Sequence, residues 1–252
     1  MSKLKNLSVG KYGLVIALVL VVIFFGITTG GSLFNPMNVS NIFMQNSYLV
    51  ILSIGMFFCL STGCVDLSVG SIVLFSGALL GFLTVTNKYP LGVAVMIIFG
   101  LGLVIGVLQG MTIAYLNVPA FIATLGFELM VKGSAIAVSG GQTLGPFVKP
   151  IQYLGGGFLP SSFRLFGYDG ICLIALVAFA VYSVYGEVRK RAKRRKYGFR
   201  VASVPTTVLK LAAILFSVGF VLFSFSIHNG MPFMLVVLIA LALVYGYISN
   251  NT

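Results

Sequence analysis

The chain has 252 residues, 59% of them hydrophobic and only 8% charged, with sixteen Lys and Arg against four Asp and Glu for a formal net charge of +12. A soluble domain keeps roughly a quarter of its residues charged to wet its surface, so a water-soluble globular fold is excluded. The apolar runs are helix-length and do not show the roughly ten-residue alternation of an outer-membrane barrel, which leaves an all-α, polytopic membrane protein built as a helical bundle.

Residues 12–65 carry no charge, nor do 89–127 or 211–252. Hydropathy predicts eight spanning helices, over 12–29, 42–60, 68–86, 91–113, 119–138, 170–186, 208–227 and 232–248. At about 1.5 Å per residue each reaches roughly 25–35 Å, enough for a bilayer core. Lys3, Lys5 and Lys11 precede the first helix and place the N-terminus in the cytoplasm. The small residues of "GITTG" follow that helix without an A-x-A cleavage pattern, so it is read as a retained span and not a signal peptide.

An outside connection, 30–41, leads to the second span, which opens with Gln45, Asn46 and Ser47. Between the second and third spans lies "STGCVDLSVGS", Ser61 to Ser71, holding Asp66, the only charge between Lys11 and Lys88. Ser61, Thr62, Ser68 and Gly70 surround it with hydroxyls and permissive backbone. Two readings stand: Asp66 caps the N-terminus of the third span at a re-entry turn, or the stretch is a polar break in a discontinuous helix lining a passage.

The fourth span carries Gly102, Gly106 and Gly110, a double G-x-x-x-G ladder expected to pack closely on another helix; Gly77 and Gly81 repeat the spacing in the third. A tight inside turn, "YLNVP", joins it to the fifth span, with Pro119 suited to the first helical turn. Asn117, Phe121 and Thr124 open the fifth span, and Glu128 and Lys132 follow four apart, in the order that favours an intramembrane ion pair; a structural pair and a pathway-lining role both fit.

Residues 139–169 form a long external loop rich in Gly, Pro and Ser, whose Phe147, Tyr153, Phe158 and Phe163 suit the membrane interface. Eight basic residues crowd into 189–200, "RKRAKRRKYGFR", within a basic cytoplasmic loop expected at 187–207. Flanked by spans, that run is a topology anchor at anionic headgroups and not a nucleic-acid site. The turn "HNGMP" joins the last two spans. No linker or low-complexity tract divides residues 1–252, which read as one transmembrane domain. Cys59, Cys64 and Cys172 offer no disulfide framework and no metal-ligand spacing.

"STGCVDLSVGS", then Gly77, "LNVPAFIATLG", Lys132-Gly133 and "GGQTLGPF", resemble the permease subunit of monosaccharide ABC importers. That family's pattern is a Ser/Thr-Gly-Gly-Ile-Asp-Leu-Ser-Val-Gly run, from which Cys64 and Val65 depart. The basic segment and its flanking spans are similar to the xylose and multiple-monosaccharide branch more than to the ribose branch. The resemblance covers essentially the whole chain. It implies a permease of the bacterial cytoplasmic membrane that forms the sugar path as a homodimer and works by alternating access. An extracytoplasmic sugar-binding protein would deliver the sugar, and a separate ATPase subunit would use ATP and Mg.

The chain has no G-x-x-x-x-G-K-[ST] phosphate loop and no Ser/His/Asp set, His228 being its sole histidine, so it is expected to be no enzyme and to hold no cofactor or metal. Candidates for the translocation path are Ser61, Thr62, Asp66, Ser68, Gly70, Gln45, Asn46, Asn117, Phe121 and Thr124. The family continues with a Gly-Arg-rich ATPase-contacting segment and further helices, whereas this sequence stops at "YISNNT". A C-terminally truncated or two-chain permease, transport-incompetent alone, is therefore expected. An ion- or proton-coupled carrier using Asp66, Glu128 and Lys132 is the alternative, followed by a non-transporting scaffold.

Overall fold

The computed structural model describes residues 9–160, 163–165, 167–199 and 203–251; Lys3, Lys5 and Arg200 lie outside them. The described chain is almost entirely helical: α1 (Val9–Thr28), α2 (Pro36–Ser61), α3 (Val69–Gly81, continued by a π turn over Phe82–Thr86), α4 (Leu91–Ala114), α5 (Ala120–Ser139), α6 (Lys149–Gly156), α7 (Gly170–Lys196), α8 (Val204–His228) and α9 (Phe233–Asn251). In hydrocarbon no water pairs the backbone, so each apolar run closes its own hydrogen bonds. Among the described residues six helices are long and apolar enough to cross a membrane: α2, α3 with its π turn, α4, α5, α7 and α8. The apolar parts of α1 and α9, Gly13–Thr28 and Phe233–Ile248, are shorter.

The chain groups into two compact units, Met1–Gln45 with Phe158–Pro232, and Asn46–Gly157 with Phe233–Thr252. In the second, α3 lies along α5 and both meet α4. Leu79, Leu83 and Ala94 form its buried core, surrounded by Phe75, Leu80, Ile98, Leu101 and Val138. Thr124, Val131 and Ala135 are buried on α5, spaced at i, i+7 and i+11 so that they share one face. Gly81 is required where the "GGQTLGPF" segment crosses α3, since a Cβ there would stand 2.7 Å from Leu144 Cβ. A groove of about 450 Å³ opens beside this crossing, between Val73, Gly77, Ala135, Ser139, Gln142 and Phe147. The amphipathic α6 packs on α9, with Tyr153 and Phe233 ring centroids 5.4 Å apart.

In the first unit, α7 and α8 form an antiparallel hairpin. Leu176 lies against Gly219, Glu187 pairs with Lys210 at 3.0 Å, and Arg191 donates to Thr207 Oγ1. At the other end a two-residue hairpin, β1 (Arg164–Leu165) and β2 (Tyr168–Asp169), leads into α7. Asp169 is only 3% exposed, and its Oδ1 accepts the Cys172 N–H at 2.9 Å, capping α7.

Three expectations are corrected. The basic run is not a loop: α7 continues to Lys196, because Arg and Lys are good helix formers and their charge complements the negative end of the helix dipole. The glycine ladder meets no other helix among the described residues of its unit, since a Cβ at Gly102, Gly106 or Gly110 would have nothing within 4 Å. The inward face of α4 is the neighbouring row, Ala94, Ile98, Leu101 and Gln109. Glu128 and Lys132 make no ion pair among the described residues. Glu128 is half-buried and Lys132 exposed on α5, so the two side chains take different surroundings although their spacing makes them neighbours on the helix.

Candidate functional site at the break between α2 and α3

The site begins where α2 stops. Gly63 has φ of 78°, a left-handed conformation that only glycine adopts without strain, and the Gly63 and Cys64 N–H groups bond back to Leu60 O (3.0 Å) and Cys59 O (3.2 Å). This is a Schellman termination, which satisfies the last carbonyls of the helix. Ser61 and Thr62 turn their hydroxyls onto Phe58 O and Cys59 O, each at 2.7 Å. These two candidates thus finish α2 and do not face the cluster described next.

The chain then runs non-helically to Ser68, and α3 starts at Val69. Asp66 is not the N-cap. That position belongs to Ser68, and Asp66, two residues earlier, closes an Asx turn: its Oδ1 accepts the Ser68 N–H at 2.8 Å and the Ser68 O–H at 2.7 Å. A third donor comes from across the unit, as Gln109 Nε2 on α4 lies 3.0 Å from Asp66 Oδ1 and 3.0 Å from Ser68 Oγ. Thr124 Oγ1, on α5, donates to the Val65 carbonyl at 3.3 Å. Ser68, Gln109 and Thr124 are all buried, while Asp66 is half-buried.

The break is therefore inserted between three helices. Gln109 lies about 7 Å along α4 from its end at Ala114, and Thr124 about 6 Å into α5 from Ala120. Asp66 is thus held roughly one helical turn inside the ends of α4 and α5. In that position a carboxylate with three donors on one oxygen keeps its second oxygen for another partner.

The other candidates lie elsewhere. Asn46 is exposed on α2, about 22 Å along the helix from Ser61, beside the equally exposed Gln45. Asn117 has φ of 55° and makes the α4–α5 turn, a conformation in which Asn is enriched. Phe121 is exposed, and Gly70 has open space around it. Gln109 escaped sequence-level detection, although it is the only polar side chain between Leu91 and Met111.

A helical membrane protein with a polar helix break clamped inside it has the build of a transport permease, and the chain belongs to that class. The family described as branched-chain amino acid transport system / permease component matches residues 38–248. The chain is similar to the xylose transport system permease proteins of Haemophilus influenzae (30% identity, 100% of this chain and 65% of the relative) and of Escherichia coli strain K12 (31%, 76% and 48%). It is also similar to the fructose import permease protein of Rhizobium meliloti (27%, 79% and 55%). The chain thus spans from 48% to 65% of the length of these relatives. No solved structure matches it significantly. Family and apolar helices together make it a multi-pass protein of the cytoplasmic membrane.

Proposed function

We propose that the chain acts in the membrane-spanning permease of an ATP-driven monosaccharide importer, carrying xylose or a related pentose or hexose. The observation that carries this reading is the family match over residues 38–248, joined to relatives named for xylose and fructose transport. In this reading the substrate passes without covalent chemistry, as the helices alternate between outward-open and inward-open packings. A cytoplasmic ATPase subunit supplies the work with ATP and Mg, an extracytoplasmic binding protein delivers the sugar, and a second copy of the permease completes the path. The Asp66–Ser68–Gln109 cluster anchors the α2–α3 break, and the free side of Asp66 faces the path.

The test is deletion of the gene in its own host, followed by uptake of labelled xylose, fructose, galactose and allose. Uptake of at least one sugar is expected to fall to background, to return on complementation, and to stop when ATP is depleted. Uptake that ignores ATP depletion and collapses with a protonophore, or no change for any sugar, overturns the reading.

A further inference from the structure

Between α7 and α8 a cleft of about 150 Å³ opens among Lys190, Arg191, Arg194 and Lys210, with Glu187, Thr206 and Thr207 completing its wall. At about 30 Å³ per water this is room for roughly five waters, or for one phosphate group with its oxygens. Glu187, Lys190, Arg191 and Arg194 share one face of α7 because they fall three, four and seven residues apart. Four cations stand against one carboxylate, and that carboxylate is already tied to Lys210 at 3.0 Å.

The height of the cleft identifies its occupant. Residues 171–186 of α7 and 211–227 of α8 carry no charge and run antiparallel for about 24–26 Å, close to a hydrocarbon core allowing for tilt. Both stretches end at the Glu187–Lys210 pair, and the exposed Tyr182 and Tyr185 sit just below it, as interfacial aromatics do. Lys190 to Arg194 follow three to seven residues beyond, about 5–10 Å above that boundary, which is the depth of phospholipid phosphates. Arginine forks bind phosphate oxygens in pairs.

We propose that this cleft is a specific site for the phosphodiester of an anionic phospholipid, seated between Arg194, Lys190, Arg191 and Lys210 in the leaflet around this end of the hairpin. Its excess of three positive charges favours a lipid with net negative charge over a zwitterionic one.

The test uses the full chain purified in detergent and titrated separately with phosphatidylglycerol, phosphatidylcholine and inorganic phosphate, with binding read by native mass spectrometry. Lys190→Gln with Arg194→Gln removes two exposed cations from the cleft. Arg189→Gln with Lys196→Gln removes two from the opposite face of the same helix end. The cleft pair is expected to weaken phosphatidylglycerol binding about tenfold and the control pair by less than about twofold, with circular dichroism showing unchanged helix. Equal losses in both pairs, equal binding of the two lipids, or displacement of phosphatidylglycerol by equimolar inorganic phosphate each overturns the proposal.

Discussion

Gln109 Nε2 stands 3.0 Å from Asp66 Oδ1, a hydrogen bond that joins the interior of α4 to the break before α3 across 43 residues of sequence. Replacing Gln109 with Leu keeps the volume but removes one of the three donors on Asp66 Oδ1 and the donor to Ser68 Oγ. The expected cost is about 1–2 kcal/mol, read as a lower melting point of the full chain in detergent. Asp66→Ala should cost a similar amount, and the double variant clearly less than the sum, since the two side chains share one network. Additive losses would show that the bond contributes nothing.

Gly81 and Gly106 look alike in sequence and differ in the fold. Gly81→Ala would press a methyl to within 2.7 Å of Leu144 Cβ, an overpacking expected to cost about 1–3 kcal/mol and to loosen the segment crossing α3. Gly106→Ala meets open space and should leave the melting temperature of the isolated chain unchanged or slightly raised. If both variants melted alike, the asymmetry drawn here would be wrong.

The end of α2 tests backbone strain alone. Gly63 holds φ of 78° with nothing within 4 Å of its would-be Cβ, so any loss on substitution is conformational. Gly63→Ala is expected to lose about 1–2 kcal/mol and Gly63→Asn noticeably less, because Asn enters the left-handed region more readily. Equal losses for the two would place the cost elsewhere.

Orientation follows from charge. With Cys59 and Cys64 changed to Ser and Cys172 buried at 1% exposure, Lys193→Cys provides a single accessible thiol at the basic end of α7. A membrane-impermeant maleimide should label it in inside-out vesicles and leave it untouched in intact cells, as the preference of Lys and Arg for the cytoplasmic side requires. Labelling of intact cells would invert the topology.

Composition was enough to put this chain in the membrane and to make it helical. Charge-free runs of helix length have no other way to pair their backbone in lipid. The motif around Asp66 likewise announced a break between the second and third spans, although the cap it offered was Asp66 and the residue that caps α3 is Ser68. Roles that depend on which helix faces which were beyond it. Gln109 is one polar residue in an apolar run, and only the packing of α3, α4 and α5 shows that it donates to Asp66. The glycines at 102, 106 and 110 carry a packing signature, yet the row beside them, ending in Gln109, is the one that turns inward. Glu128 and Lys132 have the right spacing for a pair, yet in the fold Glu128 is half-buried and Lys132 exposed, and among the described residues they form no ion pair. Local sequence sets where helices begin and end, because capping and solvation act over a few residues. Which side chains meet across helices is decided by the rotation of each helix about its axis, a property of the assembled bundle.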